Sequence, residues 1–270
     1  MTGGAAHMRA TTTAFDYAVL PKVAVPACPV CGAANVSRPA VDRMGFPIGM
    51  SACSCSLLYL NPRLSAEAYA EFYLDTYRAL TFERYGAASV ESPAHTRERG
   101  QLIGALLRYT GGAEGSLFDV GGSTGALALG LRDSLPSTAI TILDPNEDDL
   151  RQARARGFAT IAGLVEDCPP IQTRFDLIVC SRTADHWLDP LAALRWLRAS
   201  LASAGRLYLD MVDAPRWRAR HPLVAFKIDH PLYWTPPSLR RALSLTGWAI
   251  RRSYHSQHRT HWSVLCEGVA

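Results

Sequence analysis

Ser116-Leu117-Phe118-Asp119-Val120-Gly121-Gly122-Ser123-Thr124-Gly125-Ala126-Leu127 is the stretch that decides the fold of this chain. Leu117, Phe118 and Val120 read as a buried parallel strand. Gly121, Gly122 and Gly125 let backbone approach a ligand closely and permit positive φ. A helix from about Ala126 aims free N–H groups and a partial positive charge into the turn. A dinucleotide would seat its pyrophosphate there in a Gly-x-Gly-x-x-Gly frame. That frame fails, because counting from Gly121 its later glycine positions hold Ser123 and Ala126. Asp119 would also repel a pyrophosphate. A zwitterionic amino-acid tail suits the turn better: the helix end attracts its carboxylate, and Asp119 attracts its ammonium. Taken alone, the run also fits a tight strand-to-helix turn in another kind of α/β protein.

The following element narrows the choice. Thr138-Ala139-Ile140-Thr141-Ile142-Leu143-Asp144 reads as a second strand ending in an acid. An acid about 20 residues or somewhat more beyond a glycine turn can accept both hydroxyls of a ribose. Asp144-Pro145-Asn146 can equally start the polar helix expected over 147–156. The two roles are compatible.

These residues carry a resemblance. From about Glu98 to Ala270 the chain resembles class I S-adenosylmethionine-dependent methyltransferases, an α/β, Rossmann-like class with a seven-stranded sheet. Asp119-Val120-Gly121-Gly122-Ser123-Thr124-Gly125 is similar to the family's Asp/Glu-x-Gly-x-Gly-x-Gly motif, with Ser123 at the middle glycine. A serine hydroxyl there can turn toward the ligand. Asp144 matches the ribose-binding acid. Gly163-Leu164-Val165-Glu166-Asp167, followed by Pro169-Pro170, matches the loop that packs on adenine. Phe175 to Cys180 and Gly205 to Asp210 resemble the fourth and fifth strands, separated by a helix from about Pro190 to Leu201. The resemblance implies S-adenosylmethionine as cofactor, held by Asp119, Gly121, Gly122, Ser123, Gly125, Asp144, Pro145, Leu164, Val165 and Ser181.

A second chemical cluster lies upstream. Cys28-Pro29-Val30-Cys31-Gly32 forms a knuckle, and Cys53-Ser54-Cys55 supplies a second pair. Four thiolates make a closed structural zinc site, which adds folding energy to a segment too short for its own core. The alternative is a reduced or redox-active cysteine cluster. Cys28-x-x-Cys31-Gly32 with Cys55-Ser56-Leu57-Leu58-Tyr59-Leu60-Asn61-Pro62-Arg63-Leu64-Ser65 is similar to the zinc-binding leader of bacterial methyltransferases from polysaccharide and natural-product pathways. That leader more often has Cys-x-x-Cys-Gly as its second pair, so Cys53 is shifted by one and Ser56 replaces glycine. Cys168, Cys180 and Cys266 read as core or loop residues.

Composition fits one catalytic unit with an appendage. The chain has 270 residues, seven cysteines and a net charge of +4. The odd, partly clustered cysteines point to a reducing cytoplasm rather than a disulfide framework. No apolar run approaches the ~18 residues of a membrane span. Residues 1–20 read as a disordered, tag-like start, 21–62 as the zinc knuckle and 63–110 as a helical cap. Residues 111–270 read as the methyltransferase domain, with a lid at 213–237. Within the cap, a helix is expected from Ser65 to Leu80. It carries an aromatic stripe of Tyr69, Phe72, Tyr73 and Tyr77 that serves as core or covers the pocket.

Methyl transfer from a sulfonium requires an aligned acceptor, exclusion of water and, where needed, a base. The loop Ser181 to Pro190 leaves the fourth strand at the sheet edge where ligands bind. His186 is the candidate base, with Asp185 orienting it or acting in its place; a structural role for His186 is the other option. The lid offers His221, Lys227, His230, Tyr233 and Trp234. His230 stands in a segment resembling one whose histidine faces the pocket in this group. His255, His258 and His261 fall around a hairpin expected between strands Trp248–Tyr254 and Thr260–Glu267. The acceptor is expected to be a sugar, nucleotide-sugar or natural-product intermediate, methylated on oxygen or, next, carbon. Two other readings are an RNA methyltransferase and a non-catalytic S-adenosylmethionine-binding protein. The missing basic tract and the absence of Asn/Asp-Pro-Pro-Tyr/Phe after the fourth strand argue against nucleic acid as partner. The sequence leaves the oligomeric state open.

Overall fold

The computed structural model describes residues 16–76, 80, 92–111, 115–221, 226–256 and 259–269. Tyr77 and His258 lie outside the described residues, as does most of the tag-like start. Seven strands form one sheet: β6 (Gly115–Val120), β7 (Thr138–Asp144), β8 (Ala159–Ala162), β9 (Phe175–Ser181), β10 (Leu201–Val212), β12 (Trp248–His255) and β13 (His261–Gly268). Their spatial order is β12-β13-β10-β9-β6-β7-β8. The pairs from β10 through β8 are parallel, and β13 runs antiparallel between β10 and β12. The ligand crevice of such a sheet lies beyond the carboxyl ends of its parallel strands, where the order reverses beside β6.

Three helices that flank the sheet follow the expected starts: α3 (Ala126–Ser134), α4 (Glu147–Ala155) and α5 (Pro190–Ala199). A further helix, α7 (Pro236–Leu245), is capped by Thr235. Helix α5 stops two residues early, with Ser200 as its C-cap. Strand β10 is longer than expected. Its first residue, Leu201, pairs with Phe175, and the register then shifts before Arg206 meets Leu177.

Helix α2 (Pro93–Tyr109), expected in the cap, instead packs on α3. Two glycines permit the crossing: a Cβ on Gly100 would lie 2.2 Å from the Leu127 carbonyl oxygen, and one on Gly130 1.9 Å from that of Arg97. Ile103 and Leu107 of α2 then share a core with Leu127, Leu131 and Ile142. This helix therefore belongs to the layer over the sheet.

The leader forms its own sheet from β2 (Ser37–Val41), β3 (Pro47–Ala52) and β4 (Leu58–Leu60). A fourth strand joins from far along the chain: β11 (Leu232–Tyr233), in order β11-β4-β3-β2. The segment expected as a lid thus ends as sheet, with helix α6 (Ala214–Arg220) in its front half. Strands β1 (Lys22–Val23) and β5 (Arg63–Leu64) pair separately. The cap helix α1 (Ala66–Glu71) is capped by Ser65, whose hydroxyl accepts from the Ala68 amide. It gives way to a π-helical turn at Phe72–Thr76 rather than running on as α-helix. Such turns re-aim side chains, often at functional sites.

Candidate active site and cysteine cluster

A cavity of about 350 Å³ opens at the carboxyl ends of β6, β7 and β9. That volume falls within the ~300–1,000 Å³ of small-molecule sites. Its floor is the glycine turn, through Val120, Gly121 and Ser123; one side is Asp144, Pro145 and Asn146. Gly163 to Glu166 and the loop 182–188 complete it on the sheet side. The roof is Ala66, Tyr69, Ala70 and Tyr73 from the leader.

The turn works because backbone replaces side chain. Gly121 has φ +76°, and a Cβ there would meet the Thr183 hydroxyl at 2.6 Å. A Cβ on Gly122 would lie 2.6 Å from Asp119 Oδ2. Gly125, at φ +80°, starts α3 without a side-chain cap, so the first-turn amides face the turn. Asp119 is buried behind this backbone, and its Oδ2 has no partner among the described residues. Burial, then the nearby Asp144 charge, pushes its carboxyl up to about 7.

Asp144 is aimed by backbone: Asn146 N–H donates to Oδ1 at 2.9 Å and Ser123 N–H to Oδ2 at 2.9 Å. The N-cap of α4 is Asn146, not Asp144. The Ser123 hydroxyl donates to Asp149 Oδ2 at 2.5 Å, and both residues line the cavity. Ser123 itself sits at φ +49°, the conformation a glycine would take. Leu164 and Val165 line the cavity as expected. Ser181 does not: its hydroxyl donates to Asp210 Oδ2 at 2.7 Å, below the cavity wall. Arg182 and Thr183, which the sequence reading passed over, take the wall position.

His186 lines the cavity at the end of a short 3₁₀ turn, Ala184–His186. Its Nδ1 lies 3.0 Å from the Asp229 carbonyl oxygen and in hydrogen-bond contact with the Tyr73 hydroxyl. The Tyr73 hydroxyl donates to the same carbonyl at 2.6 Å. A proton on Nδ1 satisfies all three contacts and leaves Nε2 with its lone pair. Burial lowers the His186 pKa, with the Asp185 charge working against that.

Asp185 does not orient His186. Its Oδ2 pairs with His230 Nδ1 at 2.9 Å. Burial alone would raise its carboxyl, but His230, then His186, hold it well below the usual carboxylate range. His230 stacks edge-on against His186, ring centroids 4.6 Å apart, and takes the Lys227 ammonium at 3.2 Å on Nε2. His230 and Asp185 are absent from the cavity wall, so His230 stands behind His186. Asp229 was missed by sequence reading. Its side chain is fully buried beside His230, while its carbonyl anchors His186. Only the fold reveals it, since the residue beside a candidate histidine carries no pattern of its own. His221 instead stacks on Trp217 at 4.3 Å, and Tyr233 donates to the Lys227 carbonyl at 2.8 Å. Trp234 donates to the Ala184 carbonyl at 2.9 Å, supporting the His186 turn.

The four leader cysteines converge. Cys28 and Cys55 sulfurs lie 3.6 Å apart, Cys31 and Cys53 sulfurs 3.3 Å, and all four fall within 4.8 Å of one another. A tetrahedral zinc with ~2.3 Å Zn–S bonds spaces its sulfurs about 3.8 Å apart. The donor set therefore fits that ion, and Cys53, the ligand of odd spacing, is part of it. Gly32 N–H donates to the Cys28 carbonyl at 2.9 Å and Ser56 N–H to the Cys53 carbonyl at 2.8 Å. Gly32 and Ser56 both take positive φ, so Ser56 adopts the glycine conformation of the second knuckle.

The strand order, the glycine turn and the acid at the end of β7 together define a Rossmann-like methyltransferase fold. The chain belongs to the methyltransferase-domain family, whose model matches residues 94–253. The malonyl-[acyl-carrier protein] O-methyltransferase of Geobacter sulfurreducens is 38% identical over 112 residues, 39% of this chain and 42% of that protein. The chloroplastic 2-methyl-6-phytyl-1,4-hydroquinone methyltransferase 1 of Oryza sativa subsp. japonica is 33% identical over 81 residues, 28% of this chain and 24% of that protein. The chain thus spans less than half the length of either curated relative. Among solved structures, the plantazolicin methyltransferase BpumL, in complex with SAH (S-adenosylhomocysteine) and a monoazolic desmethyl analogue, shares the fold. Its TM-score is 0.59 at 11% identity, covering 75% of this chain and 94% of that one. The mitomycin 7-O-methyltransferase MmcR gives 0.58 at 17% identity, covering 74% and 60%. Among the described residues no helix is long and apolar enough to cross a membrane.

Proposed function

We propose that this protein transfers a methyl group from S-adenosylmethionine to oxygen or carbon of a small-molecule acceptor, with His186 Nε2 as the base. The acceptor is a sugar, nucleotide-sugar or natural-product intermediate. The bound cofactor supplies an electrophilic methyl on a sulfonium. Asp144 receives the ribose hydroxyls, Leu164 and Val165 pack on the adenine, and the turn with Asp119 holds the amino-acid end. Tyr69 and Tyr73 close the cavity from the leader side and keep water out.

The observation that carries this reading is the tethered ring of His186 at the cavity wall. With Nδ1 committed to the Asp229 carbonyl, Nε2 is the only ring nitrogen left to receive a proton. Burial keeps the ring neutral at pH 7, which is the state a base needs. Asp185 and His230 form the polar group behind it, through which the positive charge on His186 is offset once it is protonated. The metal reading belongs to the same proposal: Cys28, Cys31, Cys53 and Cys55 hold one structural zinc, with no open position for chemistry.

Labelled S-adenosylmethionine, offered with pools of glycosyl and natural-product intermediates, tests the reading. Label transfer that His186→Ala abolishes while SAH still binds supports it. Turnover unchanged in both His186→Ala and His230→Ala would sink the general-base assignment. Binding without transfer to any pool would favour a non-catalytic role.

A further inference from the structure

The second knuckle and the segment that anchors His186 meet in one sheet, β11-β4-β3-β2. Strand β3 ends at Ala52 and β4 begins at Leu58, and the register pairs these two residues. Cys53 and Cys55 are therefore in the turn that joins β3 to β4. Cys53 N–H donates to the Leu57 carbonyl at 2.9 Å and closes that turn. Strand β4 in turn receives β11, with Leu58 opposite Tyr233 and Tyr59 opposite Leu232. Tyr233 stands three residues after His230 and four after Asp229.

The leader also holds the rest of that segment by its carbonyls. Arg43 N–H donates to Phe226 at 2.8 Å, Tyr69 hydroxyl to Ile228 at 3.0 Å, Tyr73 hydroxyl to Asp229 at 2.6 Å and Leu60 N–H to Pro231 at 3.0 Å. Four of the carbonyls between 226 and 231 thus end on leader donors. The carbonyl of Asp229 is the one that fixes the His186 ring. The leader meanwhile roofs the cofactor cavity with α1 and the π turn, and Arg63 donates to the Leu188 carbonyl at 2.8 Å, on the cavity's far wall.

We propose that metal at the four cysteines and ligand in the cavity are thermodynamically coupled through this hairpin. The inference rests on the zinc reading above and goes beyond a closed structural site: the cysteines are positioning residues for His186. The metal holds the β3–β4 turn, β4 holds β11, and β11 holds Asp229 and His230 against His186. A short hairpin has little stability of its own, whereas a structural zinc contributes folding energy directly. Coupling of binding sites is reciprocal. A ligand that tightens the roof must therefore raise the affinity for the metal by the factor by which the metal raises the affinity for the ligand.

The zinc affinity of the purified full chain, measured at equilibrium in competition with a chromophoric chelator with and without saturating SAH, tests this. The expected result is zinc held at least about fivefold more tightly with SAH, the lower end of typical site coupling. Hydrogen exchange should show amides of 228–233 losing protection on zinc removal, while β6 and β7 keep theirs. Cys53→Ser should lower zinc content and loosen 228–233, and Cys53→His, which retains a zinc ligand, should restore both. Equal zinc affinity with and without SAH, in a protein shown to bind SAH, would overturn the coupling while leaving the zinc site intact. Unchanged protection at 228–233 after zinc removal would do the same. A chain that takes up no zinc would overturn the metal reading and the coupling with it.

Discussion

The turn at Asp119–Gly125 and the knuckle at Cys53–Ser56 are both tight turns at strand ends. Each places a serine in the left-handed region, Ser123 at φ +49° and Ser56 at φ +71°. They secure that strain differently. Ser123 is held by residues of its own unit: Asp144 accepts its amide, and Asp149 accepts its hydroxyl. Ser56 is exposed, and its amide donates to the Cys53 carbonyl within its own turn. The first turn is held by carboxylates of the next strand and helix of the same sheet unit, 21 and 26 residues on. The second brings four sulfurs of two knuckles together, and its hairpin pairs with a strand at residues 232–233.

The largest effect is expected where the two regions meet. His186→Ala should lower kcat by about 10²–10⁴-fold, the usual contribution of general-base transfer. Its SAH affinity, measured by calorimetry, should stay within a few-fold of the parent. Loss of cofactor binding alongside activity would mean that the residue belongs to the cradle instead.

Asp144→Ala attacks the cradle alone. Removing a charged acceptor of hydrogen bonds costs about 1.5–3 kcal/mol, so SAH should bind roughly 10–100-fold more weakly. Zinc content should not change. A parallel loss of zinc would erase the distinction between a locally built turn and a distantly built one.

The pH response of Asp119 separates the regions more finely. Its carboxyl is raised by burial from near 4 to about 7, so the neutral form is favoured in the unliganded fold. The stability this carboxyl contributes is present below about pH 4 and is lost as pH rises through about 7. An ammonium bound nearby favours the charged form, so SAH affinity should climb between about pH 6 and 8. Asp119→Asn should flatten that climb. A slope that survives in Asp119→Asn would refer the titration to another group.

The smallest effect concerns the two serines. Ser56→Gly relieves left-handed strain and should raise stability by about 1 kcal/mol in denaturant titrations of the zinc-loaded protein. Ser123→Gly gains the same relief but gives up the Asp149 bond, so its net change should fall within about 1 kcal/mol of zero. Equal gains at both sites would show that Asp149 contributes nothing to the cradle.

Much of the cradle was legible in the sequence because its parts are consecutive. A strand, a turn that needs positive φ and a helix start are local events, and Asp144 ends the strand that pairs beside β6. Two serine hydroxyls found partners that the sequence does not display: that of Ser123 bonds Asp149, and that of Ser181 bonds Asp210. The cysteines were legible by type, since thiols in pairs have few other uses. Their spacing left Cys53 doubtful until the sulfurs were seen together.

The sequence alone thus determined the sheet, the cofactor turn and the presence of four candidate ligands, because hydrophobic period, glycine and cysteine act over a few residues. Only the tertiary structure decided which polar groups meet. Asp185 went to His230, Asp229 lent its carbonyl to His186, and Tyr73 arrived from the leader. Those contacts join positions 73, 186 and 229, and no local propensity encodes them. The pairing of β11 with β4 brings the segment that carries Asp229 and His230 to the leader.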